Sequence, residues 1–222
     1  MKKIISFSLW GCNEKYTVGA LHNSDLLPDI YPDWVGRFHV SDSVPDDIID
    51  KLSSYPHNEV VFIEEEGNWK NGLFWRFFAI DDPDVYVNLS RDTDSRLSIR
   101  EKLCVDEFMA SDKKFHNMID HPYHNGIMGG MHGIKRGLIS NMRELISQWE
   151  KVDKWQTDQQ FLNSVIYPIV KGNILLHDSI NLDNFPCKLA DYRFVGEVLD
   201  EHNNRDGAFE AYAEFLNNKS SL

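Results

Sequence analysis

The sequence predicts an α/β fold with a Rossmann-like sheet flanked by helices. Three observations carry this. Short apolar runs that read as strands recur roughly every 20 to 30 residues in the first half of the chain. The segments between them have helical length and helix-start signals. One run alternates Val85, Val87 and Leu89 with Tyr86, Asn88 and Ser90, and then ends in Asp92-Thr93-Asp94. An open α/β sheet binds its ligands at such strand ends.

Taken in order, Ile4 to Leu9 reads as a buried first strand, with Trp10-Gly11-Cys12-Asn13 as the turn after it. Tyr16 to Leu27 reads as a helix, expected to stop at Pro28. Val35 to Val40 is a second strand, Pro45 to Leu52 a short helix with Pro at its first turn, and Glu59 to Ile63 a third strand. Leu73 to Ile80 reads as an apolar helix ending before Asp81-Asp82-Pro83, and Val85 opens the fourth strand. This order implies parallel strands joined by right-handed crossovers over about residues 1–97. The second half, about 98–200, opens with Ser98-Ile99-Arg100-Glu101, a capping box starting a helix that runs to about Ala110. Phe115 to Ile119 is a candidate strand, and a loop with Gly126, Gly129, Gly130 and Gly133 follows. A helix is expected from about Leu138 to Trp149. Thr157-Asp158-Gln159-Gln160 reads as a second capping box, with a helix ending at Pro168. Asn173 to Leu176 is a short strand running into His177-Asp178, Phe194 to Glu197 a last short strand or turn, and about 206–217 an amphipathic C-terminal helix. No repeat or linker divides the chain, so one domain is expected.

Composition narrows the function. A hydrophobic fraction of 42% and an aromatic fraction of 12% fit a globular protein. The net charge of −12 argues against nucleic acid or an anionic membrane surface as main partner, because both need clustered Lys and Arg. A phosphate ester bound here would need a metal ion to neutralise it. Cys12, Cys104 and Cys187 are widely spaced and form no C-x-x-C, which suggests reduced thiols in a cytosol-like compartment. No apolar run approaches the ~20 residues of a membrane span, and no signal peptide is recognised. The dinucleotide fingerprint G-x-G-x-x-G and the P-loop pattern are absent.

The chemistry-bearing residues follow from this frame. In an extended backbone, residues i and i+2 point the same way, so Asp92 and Asp94 can converge on one Mn²⁺ or Mg²⁺ ion and a phosphorylated ligand. His177, also at a strand end, is a candidate third ligand. Asp158, in the first turn of a helix, is a candidate general base or plain helix-terminus chemistry. Arg76 sits in an apolar stretch and needs a partner, either a carboxylate such as Asp92 or a ligand diphosphate. Trp10 and Tyr16 offer stacking surface for a nucleobase, or are core aromatics. His116, Asp120, His121 and His124 lack standard zinc spacing and read as loop hydrogen-bonding groups or polar substrate contacts.

Several pieces together resemble a known family. They are Ser8-Leu9-Trp10-Gly11, Lys15-Tyr16-Thr17-Val18-Gly19-Ala20, Phe74-Trp75-Arg76-Phe77, Ser90 to Leu97, Asp120-His121-Pro122, Gly129-Gly130-Met131, and Asp158-Gln159-x-Phe161-Leu162. In this order they are similar to the small GT-A-type glycosyltransferase domains of large DNA viruses, chlorovirus capsid-glycosylating enzymes among them, and of related bacterial proteins. The resemblance implies a GT-A fold, a Rossmann-like mixed sheet flanked by helices, and a metal-dependent hexosyltransferase. Its donor would be a nucleotide-diphosphate sugar, UDP-linked, and its acceptor a glycan or glycoprotein hydroxyl, as in viral capsid glycosylation. It implies a host-cytoplasmic setting if the protein is viral. It places Asp92 and Asp94 on the metal, Ser8, Leu9, Trp10 and Tyr16 along the nucleotide, and Gly129-Gly130 against the donor sugar. Asp120 and His121 of the D-H-P motif are expected beside the sugar or acceptor. Two positions depart from the pattern: Ile119, where the family has Arg, and His132, where it has Trp.

Two other classes remain open from the residues alone. A haloacid-dehalogenase-like phosphohydrolase also uses a strand-end D-x-D, though normally after the first strand. A non-catalytic nucleotide-sugar or carbohydrate-binding module would need no base.

Overall fold

A computed structural model describes residues 1–64, 69–149, 156–188 and 193–219. Seven strands form one sheet in the order β3-β2-β1-β4-β6-β5-β7. The strands are β1 (Lys2–Leu9), β2 (Val35–Val40), β3 (Asn58–Phe62), β4 (Val85–Ser90), β5 (Phe115–Ile119), β6 (His132–Lys135) and β7 (Ile174–Asp178). β1 pairs in parallel with both β2 and β4, and β2 with β3. β6 runs antiparallel between β4 and β5, and β7 is parallel to β5. The sheet is therefore mixed, and it spans both halves of the chain.

Helices α1 (Glu14–Ile30), α2 (Asp46–Ser54) and α4 (Ile99–Ala110) share a core with the central strands. Leu27, Leu52 and Phe108 pack there with Phe7, Phe38 and Leu89, and the rings of Phe7 and Phe38 stack 4.8 Å apart. Helices α3 (Trp69–Trp75), α5 (Met142–Gln148), α6 (Thr157–Phe161) and α7 (Tyr167–Val170) surround a second core of Phe74, Phe77, Phe115, Ile134 and Phe161. The last helix, α8, spans Ala208–Lys219.

The departures from the sequence reading have local causes. Helix α1 continues past Pro28 to Ile30. Proline removes the hydrogen bond to the carbonyl four residues back, that of Ser24. Here His57 Nε2 takes over that carbonyl at 2.8 Å, so it is not left without a partner as the helix runs on. The apolar stretch around Phe74 is split into α3 and a 3₁₀ turn at Phe78–Asp81, which leaves Arg76 just past the end of α3. Ser98 caps α4 as expected, accepting the Glu101 N–H at 3.2 Å. Glu101 does not reach back to close the box; its carboxylate is buried on Arg91 and the Tyr31 hydroxyl. Thr157 is not an N-cap: Gln156 holds that place with φ of 68°, and no side chain caps the helix. From α6 the chain continues as a π-helical turn, Leu162–Ile166, and α7, with Pro168 inside the latter. The helix expected from Leu138 begins only at Met142, and the glycine-rich loop gives way to strand β6, which the sequence reading does not contain.

Two groups expected near substrate turn out to hold the fold. Asp120 is buried and accepts two hydrogen bonds from Arg100, each 2.7 Å, plus one from Ser179 Oγ and one from the Val195 N–H. His121 accepts the Tyr123 N–H at Nδ1 and donates from Nε2 to the Ala208 carbonyl. Asp120 thus ties β5 to α4 and to the 194–195 segment. Replacing Asp120 with Ala strips Arg100 of its buried partner and is expected to cost about 3–5 kcal/mol of stability in chemical denaturation. Mn²⁺ affinity of the molecules that remain folded is expected to stay near wild type, which calorimetry would check.

Candidate functional site

The sheet order reverses direction at β1. The chain leaves β1 for β2 on one side and returns to β4 on the other. Between the carboxyl ends of β1 and β4 lies the switch point at which open α/β sheets bind ligands. A cleft of about 680 Å³ opens there. It is lined from β1 by Ser8, Leu9 and Trp10, from α1 by Tyr16, and from the turn after β4 by Asp92, Thr93 and Asp94. Its far wall is made by Gly129, Gly130, Met131 and Asp158.

The turn carrying the two aspartates is gripped from below. Arg91 is buried, with Nε on Glu101 at 3.1 Å and Nη1 on the Ser90 and His132 carbonyls. Asn23 of α1 donates to the Thr93 and Ser95 carbonyls and accepts the Leu97 N–H. Gly19 lets α1 come this close, since a Cβ there would overlap the Thr93 carbonyl. Two of the sequence motifs, the Gly19 segment and the Asp92–Leu97 segment, are therefore two sides of one contact.

Arg76 is the centre of the cleft. Its backbone N–H donates to Ser8 Oγ at 2.9 Å, and its carbonyl accepts from Asn88 Nδ2 at 3.0 Å, so β1 and β4 both fix it. Its guanidinium then meets three oxygens. Nη1 lies 2.9 Å from Asp92 Oδ1, Nη2 lies 2.8 Å from Asp158 Oδ2, and Nε donates to the Gly129 carbonyl at 3.2 Å. Asp92, a carboxylate foreseen as a partner for Arg76, is one of its partners. Asp94 has its own cation, Lys15 Nζ at 3.0 Å. Burial pushes the Asp94 carboxyl above the usual carboxylate range, and the Asp92 charge adds to this while Lys15 opposes it. Asp158 is shifted the same way by its burial, with Arg76 opposing and Asp92 adding.

The two glycines opposite follow from strand register. In the β4–β6 pair, Val87 faces Lys135 and Ser90 faces His132. Extending that register two residues past the strand ends sets Asp92 against Gly130. A Cβ on Gly130 would overlap the Asp92 carboxylate, and one on Gly129 would overlap Asp158 and Arg76. The pair of glycines makes room for the charged cluster as well as for any ligand.

Asp92 and Asp94 fit a Mg²⁺ or Mn²⁺ ion by donor chemistry. Both line the cleft, with side-chain exposures of 42% and 14%. Ions of this class bind through one or two carboxylates, with phosphate oxygens and water completing the shell. Among the described residues no group of three His, Cys, Asp or Glu is placed to hold a metal. His177 does not join the aspartates. It donates from Nε2 to Glu107 at 2.9 Å, and its Nδ1 meets His116 Nε2 at 2.8 Å, so neither ring nitrogen has a lone pair left for a metal. The β-strand end that suggested it belongs to the sheet edge, three strands from β4. Asp120 and His121 also lie outside the cleft lining. His132, one of the two departures from the family pattern, is buried and stacks on Phe115 at 5.6 Å, so it too is outside the cleft. Conversely, Lys15, Gln156 and Gln159 were not assigned a ligand role from sequence, yet Lys15 holds Asp94 and the two glutamines line the cleft; of the four groups read as loop hydrogen-bonding groups or polar substrate contacts, His124 lines the cleft as well.

No known family profile matches the chain, and no curated protein matches it. Solved structures do. One is the glycosyltransferase involved in the glycosylation of the major capsid of PBCV-1, at 16% identity and TM-score 0.50, covering 81% of this chain and 83% of that one. Another is the 4-diphosphocytidyl-2C-methyl-D-erythritol synthase of Anaerococcus prevotii, at 11% identity and TM-score 0.52, covering 80% of this chain and 87% of that one. A third is TarS 1-349 from S. aureus, at 12% identity and TM-score 0.53, covering 87% of this chain and 59% of that one. The shared feature is the fold: a mixed sheet flanked by helices of the GT-A type, as the sequence resemblance implies.

The two glycines face different charges, so their replacement should separate. Gly130→Ala is expected to displace the Asp92 carboxylate and to weaken Mn²⁺ binding by about tenfold or more, with the fold kept, because the overlapping atoms end a side chain and do not belong to backbone. Gly129→Ala is expected to disturb the Arg76–Asp158 pair and to leave Mn²⁺ binding less affected. Calorimetric Mn²⁺ titration of both variants checks this.

Proposed function

We propose that the protein is a glycosyltransferase that moves a sugar from a nucleotide-diphosphate sugar, UDP-linked, to a hydroxyl of a glycan or glycoprotein acceptor. The observation that supports this reading best is the single guanidinium of Arg76 spanning Asp92 and Asp158 inside the cleft. One end of the pair is a carboxylate suited to a diphosphate-bound cation. The other is a buried carboxylate suited to take a proton. The fold shared with the PBCV-1 capsid glycosyltransferase supports the same reading at the level of architecture.

The nucleotide would lie along Ser8, Leu9, Trp10 and Tyr16, where the half-buried faces of Trp10 and Tyr16 offer stacking. Asp92 and Asp94 would hold Mn²⁺ or Mg²⁺, which supplies Lewis-acid stabilisation of the leaving diphosphate. Both aspartates already have cationic partners, so donor loading exchanges partners: Arg76 and Lys15 pass from carboxylate to phosphate oxygens. The net charge of the chain, −12, makes this local pair of cations important for an anionic donor. The sugar would then face Gly129 and Gly130. The acceptor oxygen attacks C1, the bond from C1 to the diphosphate oxygen breaks, the electron pair leaves with the nucleoside diphosphate, and the acceptor proton passes to Asp158. Burial favours Asp158 as a base by raising its proton affinity, and Arg76 keeps it oriented.

Asp92→Asn and Asp94→Asn are each expected to abolish Mn²⁺-dependent UDP binding while the melting transition stays cooperative; a variant that still binds UDP in a Mn²⁺-dependent way removes that residue from the metal seat. Asp158→Asn is expected to slow sugar transfer by about 10²–10⁴-fold with donor affinity near wild type. Product analysis for UDP against inorganic phosphate tells transfer from phosphohydrolysis in the same assay.

A further inference from the structure

The loop from β5 to Gly129 carries His124, whose ring lines the cleft. The ring is held on three sides. Its Nδ1 accepts the backbone N–H of Asp120 at 3.3 Å. It meets the tilted ring of His121 and, in a T-shaped contact, that of Phe194, with centroids 5.5 and 5.8 Å away. Asp120 in turn is locked by Arg100, so the hydrogen bond that orients His124 has a rigid donor. Burial, with the neighbouring His121, lowers the His124 pKa to about 3, so the ring is neutral at ordinary pH. A neutral imidazole that accepts at Nδ1 carries its proton on Nε2. That N–H has no hydrogen-bond partner among the described residues. Unlike Nε2 of His132, it is not closed off in the core. Beside it the wall is apolar. Gly196 comes so close that a Cβ would overlap Met131 Sδ and stand 3.8 Å from His124 Cε1.

We propose that His124 is a specificity-determining residue that donates from Nε2 to a saccharide hydroxyl oxygen in the cleft. This rests on the nucleotide-sugar reading above. A fixed, uncharged donor set in an apolar wall suits the hydroxyl of a sugar ring, whose carbon face meets Met131. The phosphates have better partners in Arg76 and Lys15. The hydroxyl can belong to the transferred sugar or to a saccharide acceptor, and two assay arms separate these sources.

The first arm measures binding of UDP-glucose, UDP-galactose and their monodeoxy forms, with Mn²⁺, to the full chain by calorimetry. The second measures transfer to methyl glucoside and methyl galactoside and their monodeoxy forms. In one arm, the wild-type protein is expected to lose about 3- to 10-fold with one particular deoxy form, the worth of a neutral hydrogen bond. His124→Phe keeps a ring but no N–H, and is expected to lose a similar factor with the parent sugar and to stop distinguishing it from that deoxy form. His124→Gln, which retains an N–H near the same place, is expected to keep part of the discrimination, and it stands in if the Phe variant does not fold. Variants that discriminate as wild type does, or a wild-type protein indifferent to every deoxy form in both arms, overturn the role of His124 alone. A wild-type protein that binds no UDP-sugar overturns the nucleotide-sugar reading, and this role with it.

Discussion

The site depends on one guanidinium. Arg76 reaches into the cleft from the end of α3, held by Ser8 on β1 and Asn88 on β4, and each of its three guanidinium nitrogens meets a protein oxygen. The planar fork fits this task because it can meet carboxylates on separate edges at once. It is nearly buried, and so is Asp158, which puts the pair where unpaired charge is expensive. Each partner therefore specifies the position of the others. The turn after β4, the first turn of α6 and the Gly129 loop come from distant parts of the sequence, and Arg76 joins all three.

Around that ion cluster, the polar groups divide by where their hydrogen bonds go. Those that terminate in the cleft have a bond or charge to exchange with a ligand, as Asp92, Asp94, Lys15 and Arg76 do. Those that terminate in the fold have none to spare. Asp120 is saturated by Arg100, Ser179 and Val195, and His177 by His116 and Glu107. Asn163 belongs to the second kind while serving the first. From the π-helical turn it accepts the Ile127 N–H and donates to the Ile127 carbonyl, stapling the glycine-rich loop to the helix that carries Asp158. A π turn often marks a functional helix, and here it aims Asn163 across to that loop.

Much of this was legible in the sequence. Strands β1 to β5 stand close to where apolar runs and alternation place them, because buried strands write their burial directly as composition. Arg76 was legible as a charge in an apolar stretch that demands a partner, and Asp92, Asp94 and Asp158 as carboxylates at a strand end and a helix start. Strand β6 was not, because His132-Gly133-Ile134-Lys135 has one aliphatic residue and gains its place from two neighbouring strands rather than from its own pattern. Nor could the sequence tell which strand ends meet. His177 lies at the end of β7 and Asp94 in the turn after β4, but the sheet order puts β7 at the edge and β4 at the centre. The reach of Pro28 was misjudged for a similar reason: the group that relieves it, His57, is close only in the folded chain.

The antiparallel pairing of β4 with β6 carries a consequence for how the protein comes into being. Asp92 and Gly130 face each other only because Ser90 and His132 are in register, and α4 and β5 lie between β4 and β6 along the chain. Such non-local closure is slow relative to helix formation and collapses as a unit if the register slips by one residue. Asp92 gains its opposite wall only from this pairing, and a slip by one residue would set Gly129 or Met131 against its carboxylate in place of Gly130.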